Sequence, residues 1–451
     1  MNVHCFTDYN PTILEKMIEP FNVPESFDEY QSVFKQEDGA SIGLYHDFQV
    51  SSVFQPIFSP AHSRVIGYEG LIRGRNRQGD AISPATIFNK PKSLKESLYL
   101  DRLSRLLHVS NFSKNYSGQA YLFLNFSPKA ILIANEMQLS TFTKDMVEYY
   151  GIKPEQVVIE ILESAISDDS ALIEVVEQYR ACGFQIAIDD FGAGESNIDR
   201  IWKLSPNIIK LDRSLISNTS NNQRAKRLLP SLVNFIHQIG GLVLLEGIET
   251  KEEAMIAVDS DVDLVQGFVF AKPQAKFQES CTDNGLFKYL SATLHNEEAV
   301  SSHKQLCWLS AKAGDFSDEV KRATQGSLSP EILNNNDALR WYILDGNGRQ
   351  IEENYDTKVI GQSSAEASYN PMKFAKNADW SRRPYYRRSM RYPGELQISG
   401  PYFSIPDSGF CITFSLAKKS GSETRVYCCD FKWQDNEAGH SHLISGSMGP
   451  W

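Results

Sequence analysis

From Val53 onward, short apolar runs of strand length alternate with amphipathic stretches of helix length, and that rhythm limits the fold more than any other feature of the chain. The strand candidates are VFQPIFS (53–59), VIGYEGLIR (65–73), AYLFLNFS (120–127), VVIEILES (157–164), FQIAIDD (184–190), IIKLD (208–212), LVLLEG (242–247) and LVQGFVF (264–270). Between them lie helical patterns such as SALIEVVEQYRACG (170–183) and RAKRLLPSLVNFIHQIGG (224–241), each ending in Gly as a C-cap should. Strand–helix alternation predicts a parallel sheet covered on both faces. About eight strands over roughly 230 residues suit a closed α/β barrel of the TIM type, (β/α)8, with a doubly wound open sheet as the competitor.

A chain of 451 residues is too long for one ordinary core, and the rhythm fills only part of it. Residues 1–45 mix acids and Pro without a period and read as a lead-in with short helices. Residues 46–280 read as the barrel and 281–335 as a helical connector. Residues 336–435 read as an α+β domain dominated by antiparallel sheet. There WYILDGNGRQI spells strand, DGNG turn, strand, and LQISGPYFSI, GFCITFSLA and TRVYCCDFKW follow as strands. Residues 436–451 read as a loose tail.

The formal net charge of -11 disfavours duplex nucleic acid, which is bound through many Lys and Arg contacts to phosphate. It leaves room for a small anion, because bound metal ions invert local charge. No run of 18 apolar residues predicts a membrane span, and the N-terminus lacks the pattern of a secretory signal. The 7 scattered Cys suggest reduced thiols in a cytoplasm.

Polar groups fall in a pattern on the strands. Glu69, Asn125, Glu160, Asp189 with Asp190, Lys210, Glu246 and Gln266 each sit within or near the C-terminal end of an apolar run. One such residue is usually a satisfied structural group, since a carboxylate in a buried strand must be paired or metal-bound. On the strands of a barrel these sites converge on one face, where barrel enzymes keep their active sites. Carboxylates plus an amide oxygen are hard ligands suited to Mg²⁺ or Mn²⁺ rather than Zn²⁺. Adjacent Asp residues can serve two metal ions about 4 Å apart, the arrangement for in-line attack on phosphate esters. A Lys beside them can orient or polarise the attacking water. None of the 9 His lies at a barrel strand end, so His is a poor candidate for the base.

Residues of about 48 to 278 resemble the EAL domain of cyclic di-GMP phosphodiesterases. The resemblance rests on FQPI with Gln55 and Pro56, the signature Glu69-Gly70-Leu71 followed by Arg73, LNFSP with Asn125, and IEILES with Glu160 and Glu163. It continues through IDDFGAGESN with Asp189 and Asp190, IIKLDRSLI with Lys210, Asp212 and Arg213, LLEGIET with Glu246 and Glu249, and VQGFVFAKP with Gln266 and Pro273. It implies that Glu69, Asn125, Glu160 and Asp189 bind a first Mg²⁺ or Mn²⁺, with Asp189 bridging to a second near Asp190 and Glu246. It further implies that Lys210 contacts the nucleophilic water, that Glu246 is the proton acceptor, and that Glu163 fixes the loop after Asp190. Gln55, Leu71, Arg73, Asp212, Glu249, Gln266 and Pro273 correspond to substrate-pocket positions. The implied reaction is hydrolysis of cyclic di-GMP to linear 5′-pGpG, by a homodimer.

The chain departs from the family pattern in two places. Gly70 stands where the family has Ala, a small-for-small change expected to matter little. The loop reads DDFGAGESNI where the family usually has DDFGTGYSSL, so Ala193, Glu195, Asn197 and Ile198 are substitutions. Ala193 loses a hydroxyl and Glu195 brings a negative charge near a site for an anion. Slow or triggered turnover is the expectation.

The stretch 379–417 resembles the ligand-sensing region of Cache-type, PAS-like domains, through Trp380, Arg383, Pro384, Tyr385, Gly400, Pro401 and Tyr402, with Asp430 beyond it. The resemblance implies a small-molecule ligand that regulates the barrel. A solvated basic face over core aromatics is the plainer reading of RRPYYRRSMR. Three functional readings follow: an active phosphodiesterase, a non-catalytic cyclic di-GMP receptor, and a barrel with another phosphate ester or a structural role.

Overall fold

The computed structural model describes residues 34–37, 39–116, 118–127, 142–162, 169–193, 198–217, 223–275, 277, 285–325, 330–356, 375–404, 409–420 and 423–433. The chain divides into two compact units, Met1–Ala292 and Thr293–Trp451. No described helix is long and apolar enough to cross a membrane.

The first unit is a barrel with a short extension. Its strands are β1 (Phe34–Glu37), β2 (Ala40–Tyr45), β3 (Phe48–Ser59), β4 (Arg64–Arg75), β5 (Ala81–Ile82), β6 (Tyr121–Phe126), β7 (Val157–Leu162), β8 (Gln185–Phe191), β9 (Ile208–Leu211), β10 (Leu242–Leu245) and β11 (Leu264–Val265). They pair in the order β1-β2-β3-β11-β10-β9-β8-β7-β6-β4-β5, and an additional β3–β4 pairing closes the ring at eight strands. From β4 through β6 to β11 the barrel neighbours run parallel.

Two expectations are corrected here. β3 runs antiparallel to both β4 and β11, so the sheet is not wholly parallel. Only four residues, 60–63, separate β3 from β4, and a parallel crossover needs a dozen or more. The end of the lead-in is not helical either. β1 and β2 form a hairpin that adds to the outer edge of β3, with Gly43 opposite Val50 and Tyr45 opposite Phe48. Residues 1–33 lie outside the described residues.

Alternation sorts the strand side chains into two cores. Ile57, Phe123, Val158, Ala187, Ile208, Leu244 and Leu264 point inward and plug the barrel. The outward residues join the larger core beneath the helices. Helix Leu94–Asn115 is buried along most of its length. β2 holds it from one side: Asn111 Nδ2 donates to the Ser41 carbonyl at 2.9 Å, and the Tyr45 hydroxyl donates to Glu96 at 3.0 Å.

That helix also corrects the reading of Gly70. A Cβ at position 70 would stand 2.8 Å from His108 Cγ. The buried His108 ring occupies the space of an Ala methyl, and its Nδ1 hydrogen-bonds the Ser52 hydroxyl at 2.8 Å. Burial holds the imidazole down to about 3, so it is neutral at ordinary pH. Gly70 is therefore tied to His108 by packing rather than by backbone freedom.

The second unit carries a five-stranded antiparallel sheet in the order β13-β12-β16-β15-β14. The strands are β12 (Ala338–Leu344), β13 (Tyr355–Asp356), β14 (Gln397–Ser404), β15 (Gly409–Ser420) and β16 (Glu423–Lys432). The DGNG turn forms, but its second arm is a single bridge, Leu344 to Gln350, rather than a strand. Helix Gly285–Thr324 supplies Leu309, Ala313, Phe316 and Val320 to a core with Trp341, Phe414 and Phe431. This part of the expected connector is thus built into the second core. Helix Pro384–Arg391 covers the opposite face through Tyr385 and Tyr386.

The Gly70–His108 contact predicts that Gly70→Ala lowers stability by about 1–3 kcal/mol through overpacking. In a double-mutant cycle with His108→Ala, measured by urea unfolding, that penalty should shrink. An additive cycle would show that the two positions do not press on one another.

Candidate metal and phosphate site at the barrel mouth

Each residue of the barrel plug is followed, two positions on, by a polar one. Phe123 leads to Asn125, Val158 to Glu160, Ala187 to Asp189, Ile208 to Lys210, Leu244 to Glu246 and Leu264 to Gln266. On β4 the plug position is Gly67, whose missing side chain makes room for the Phe123 ring, and Glu69 follows it. β3 runs the other way, so Gln55 precedes Ile57; it lies directly opposite Glu69. Residues two apart on a strand share a face. The eight polar side chains therefore form the next layer of the barrel above an apolar floor.

Lys210 stands at the centre of that layer, 1% exposed. Its Nζ lies 2.6 Å from Glu160 Oε1, 2.7 Å from Glu246 Oε1, 2.9 Å from Asp189 Oδ1 and 3.9 Å from Glu69 Oε1. Burial alone would lower its pKa, but the carboxylates around it hold it well above the ordinary lysine range. Glu69 is fixed by two amides: Asn125 Nδ2 donates to Oε1 at 2.9 Å and Gln266 Nε2 to Oε2 at 2.7 Å.

The acids outnumber their partner. Burial pushes Glu160 well above the usual carboxylate range, with Lys210 opposing and Glu69, Asp189 and Glu246 adding to the shift. Glu246 is pushed up to about 8, burial again leading and Lys210 opposing. Glu160 Oε2 and Gln266 Oε1 are buried acceptors without a hydrogen-bond partner among the described residues. Four carboxylates facing one ammonium, with acceptor atoms of hard oxygen type left over, fit divalent cations of the Mg²⁺, Mn²⁺ or Ca²⁺ kind.

Asp190 joins the group through a local break in the sheet. The β8–β9 ladder slips between Ile188 and Phe191, and Asp190 takes a left-handed backbone with φ 58. Neighbouring residues on a regular strand point to opposite faces, but a bulge re-aims one of them. Carboxylate oxygens of Asp189, Asp190 and Glu246 consequently lie within 4.8 Å of one another. Burial and the neighbouring Asp189 raise the Asp190 pKa.

The remaining sequence-derived positions divide. Leu71 and Arg73 share the Glu69 face of β4, half-buried, and Arg73 Nη1 donates to the Ile72 carbonyl at 2.8 Å. Gln55 Nε2 reaches the Ala271 carbonyl at 3.3 Å, and the segment with half-buried Pro273 bridges β3 through Phe54 and Gln274. Asp212 and Glu249 do not join the ring. Asp212 Oδ1 caps the next turn by accepting from the Ser214 N–H at 2.9 Å, and Glu249 forms an exposed two-point ion pair with Arg213, 2.7 Å at Nη2–Oε2. Glu163 and Glu195 lie outside the described residues; Ala193 is exposed.

The structure adds residues that the sequence reading passed over. Asp101, buried on helix Leu94–Asn115, accepts from the Ser127 N–H at 2.9 Å and pairs with Arg105. Arg105 lies over the Phe126 ring at 3.9 Å and donates to Thr143 at 2.7 Å. The pair thus anchors the chain immediately after Asn125. An acid and an arginine four apart in a helical stretch were the available signal.

Fold and site together define a barrel protein with a ring of hard oxygen donors around a lysine at its mouth. A family model for the EAL domain matches residues 43–273, just over half the chain, and the chain belongs to the EAL-domain family. The uncharacterized EAL-domain protein YkuI of Bacillus subtilis is 24% identical over 380 residues, covering 80% of this chain and 90% of YkuI. Its crystal structure, in complex with substrate c-di-GMP and calcium, shares the fold with a TM-score of 0.70 at 22% identity, covering 86% of this chain and 97% of that one. The cyclic di-GMP phosphodiesterase RocR of Pseudomonas aeruginosa is 29% identical over 239 residues, 52% of this chain. The blue light- and temperature-regulated antirepressor BluF of Escherichia coli is 26% identical over 220 residues, 49% of this chain. The chain spans 60% of the length of RocR and 53% of BluF.

The central ammonium yields a direct expectation. Lys210→Met leaves buried carboxylates facing one another and should cost about 3 kcal/mol or more in EDTA, read by urea unfolding. Mn²⁺ should then return more stability to the variant than to the wild type. Equal stability of the two proteins in EDTA would show that Lys210 is not the counter-charge of the ring.

Proposed function

We propose that the chain hydrolyses one phosphodiester of cyclic di-GMP, giving linear 5′-pGpG, with Mg²⁺ or Mn²⁺, two ions per barrel. The observation that carries this reading is the ring of acids and amides around Lys210 at the barrel mouth. Glu69, Asn125, Glu160 and Asp189 would hold one ion, and Asp189, Asp190 and Glu246 the other. When bound, the ions supply a lowered pKa for the attacking water and neutralise charge developing on the phosphate. Lys210 is placed to orient that water by hydrogen bonding. Glu246, with its raised proton affinity, is placed to take its proton. Glu163 serves the loop after Asp190. Gln55, Leu71, Arg73, Gln266 and Pro273 shape the substrate pocket, with Arg73 contributing a guanidinium for a phosphate oxygen. Asp212 and Glu249 contribute to substrate binding at its rim.

The second unit is read as a Cache-type, PAS-like sensor that regulates the barrel, in a cytoplasmic homodimer. The likeness to YkuI over 86% of this chain, beyond the barrel alone, supports a shared two-part design. A sensor acts by binding two states of the protein unequally. A second reading, a non-catalytic cyclic di-GMP receptor, is favoured by Ala193 and Glu195 in the loop after the Asp pair and by the likeness to an antirepressor.

Incubation with cyclic di-GMP and Mn²⁺ or Mg²⁺, followed by chromatography, separates the two. The expected product is pGpG, with Glu69→Ala or Asn125→Ala lowering its rate at least about 100-fold. Binding without any pGpG selects the receptor. The double change Ala193→Thr with Glu195→Tyr should raise turnover; an unchanged rate would show that the loop does not limit it.

A further inference from the structure

The residues of the mouth ring are not equally supported by the sheet. Asn125 lies at the open end of β6. The ladder from β6 to β4 stops at its neighbour, Leu124 paired with Gly70, and β7 alone continues beside it, with Glu160 opposite Asn125. Asn125 is exposed where Glu160 is buried. Its Nδ2 donates to Glu69 Oε1 at 2.9 Å, and the other end of the amide is an oxygen, a hard ligand atom. A side chain at a strand end keeps such an aim only if the backbone around it is fixed.

The fixing comes from a helix. Ser127 lies one residue beyond the last β6–β7 pair, Phe126 with Ile161, and its N–H donates to Asp101 Oδ1 at 2.9 Å. Asp101 Oδ2 pairs with Arg105, one turn further along helix Leu94–Asn115. Arg105 lies over the Phe126 ring at 3.9 Å, and its Nη1 donates at 2.7 Å to Thr143 at the start of helix Phe142–Tyr149. Phe126 points to the opposite face of β6 from Asn125. Holding its ring from outside, and the next N–H from the same pair, leaves Asn125 one direction in which to point.

Stability alone does not call for such a pair. Asp101 and Arg105 are each only 4% exposed, and an apolar pair of similar volume is often as stable as a buried ion pair or more so. The same helix uses that apolar solution at Leu98, Leu103, Leu106 and Leu107, all buried. What an apolar pair cannot do is hold an N–H and a hydroxyl at fixed points. We propose that Asp101 and Arg105 are positioning residues: through Ser127 and Phe126 they fix the aim of Asn125, and so set the affinity of the ring for a divalent cation. The inference rests on the reading of the ring as a cation site, and it concerns two residues that lie outside that ring.

The test is calorimetric titration of the full chain with Mn²⁺, without nucleotide, beside urea unfolding in EDTA. Replacing the pair, Asp101→Leu with Arg105→Met, should leave stability in EDTA unchanged or raised. It should nevertheless weaken Mn²⁺ binding at least about tenfold. In an Asn125→Ala background the same replacement should have little further effect on Mn²⁺ affinity, because the side chain it aims is gone. Arg105→Lys keeps Asp101 neutralised but gives up the flat guanidinium over Phe126. It should weaken Mn²⁺ binding in the same direction, and it decides the matter if the pair-replaced chain does not fold. Unchanged Mn²⁺ affinity in the deciding variant would overturn the proposal. So would an equal loss with and without Asn125, which marks a general loosening of the barrel. Absence of Mn²⁺ binding by the wild-type chain would instead sink the cation reading, and this inference with it.

Discussion

The barrel depends on one buried ammonium. Lys210 lies within 2.9 Å of three carboxylates and 3.9 Å of a fourth, and almost no water reaches it. A charge in such a place is tolerable only when matched, and the match here is lopsided toward acid. The excess cannot be relieved by outward rotation, because the plug beneath and the barrel wall around fix each strand. Burial and the neighbouring acids raise the proton affinity of Glu160 and Glu246, so protons would relieve part of it. Cations relieve it more fully, because they engage several oxygens at once. The same imbalance that makes the ring costly without metal would thus favour hard ions.

The geometry that creates this imbalance is simple. A strand face repeats every two residues, so an apolar plug position followed by a polar one places eight polar groups in one layer. Two local exceptions complete it. β3 enters from the opposite direction, which lets Gln55 sit directly across from Glu69. The slip in the β8–β9 ladder turns Asp190 toward the same mouth as Asp189. Without that slip, alternation would send one of the two acids outward into the helix layer.

Much of this was legible in the sequence, because strand periodicity and strand-end polarity are local signals. The eight strand candidates overlap the eight barrel strands, and the ring from Glu69 to Gln266 was readable as a set of acids, amides and one amine. What stayed hidden depended on contacts distant in sequence. The reversal of β3 was implied by the four-residue gap at 60–63, yet alternation elsewhere masked it. Gly70 reads as a conservative change until His108, 38 residues on, is seen to fill the space beside it. Asp212 and Glu249 sit in the right blocks, and their partners, the Ser214 N–H and the Arg213 guanidinium, come from the turns beside them. The Asp101–Arg105 pair is visible only as two charges in a helix, and its role follows from where Ser127 comes to lie.

The two units bury polar layers of opposite kind. At the barrel mouth the atoms without partners among the described residues are acceptors, Glu160 Oε2 and Gln266 Oε1. On the sheet of the second unit, Gln397 Nε2, Ser399 Oγ and Arg425 Nε lack a hydrogen-bond partner among the described residues. A buried acceptor is satisfied by a cation or a donor, and a buried donor by an oxygen that brings electrons. The sign of what is left unpaired therefore carries information about what each layer was built to meet. Structural polar networks close on themselves, since an open one is worse than an apolar core.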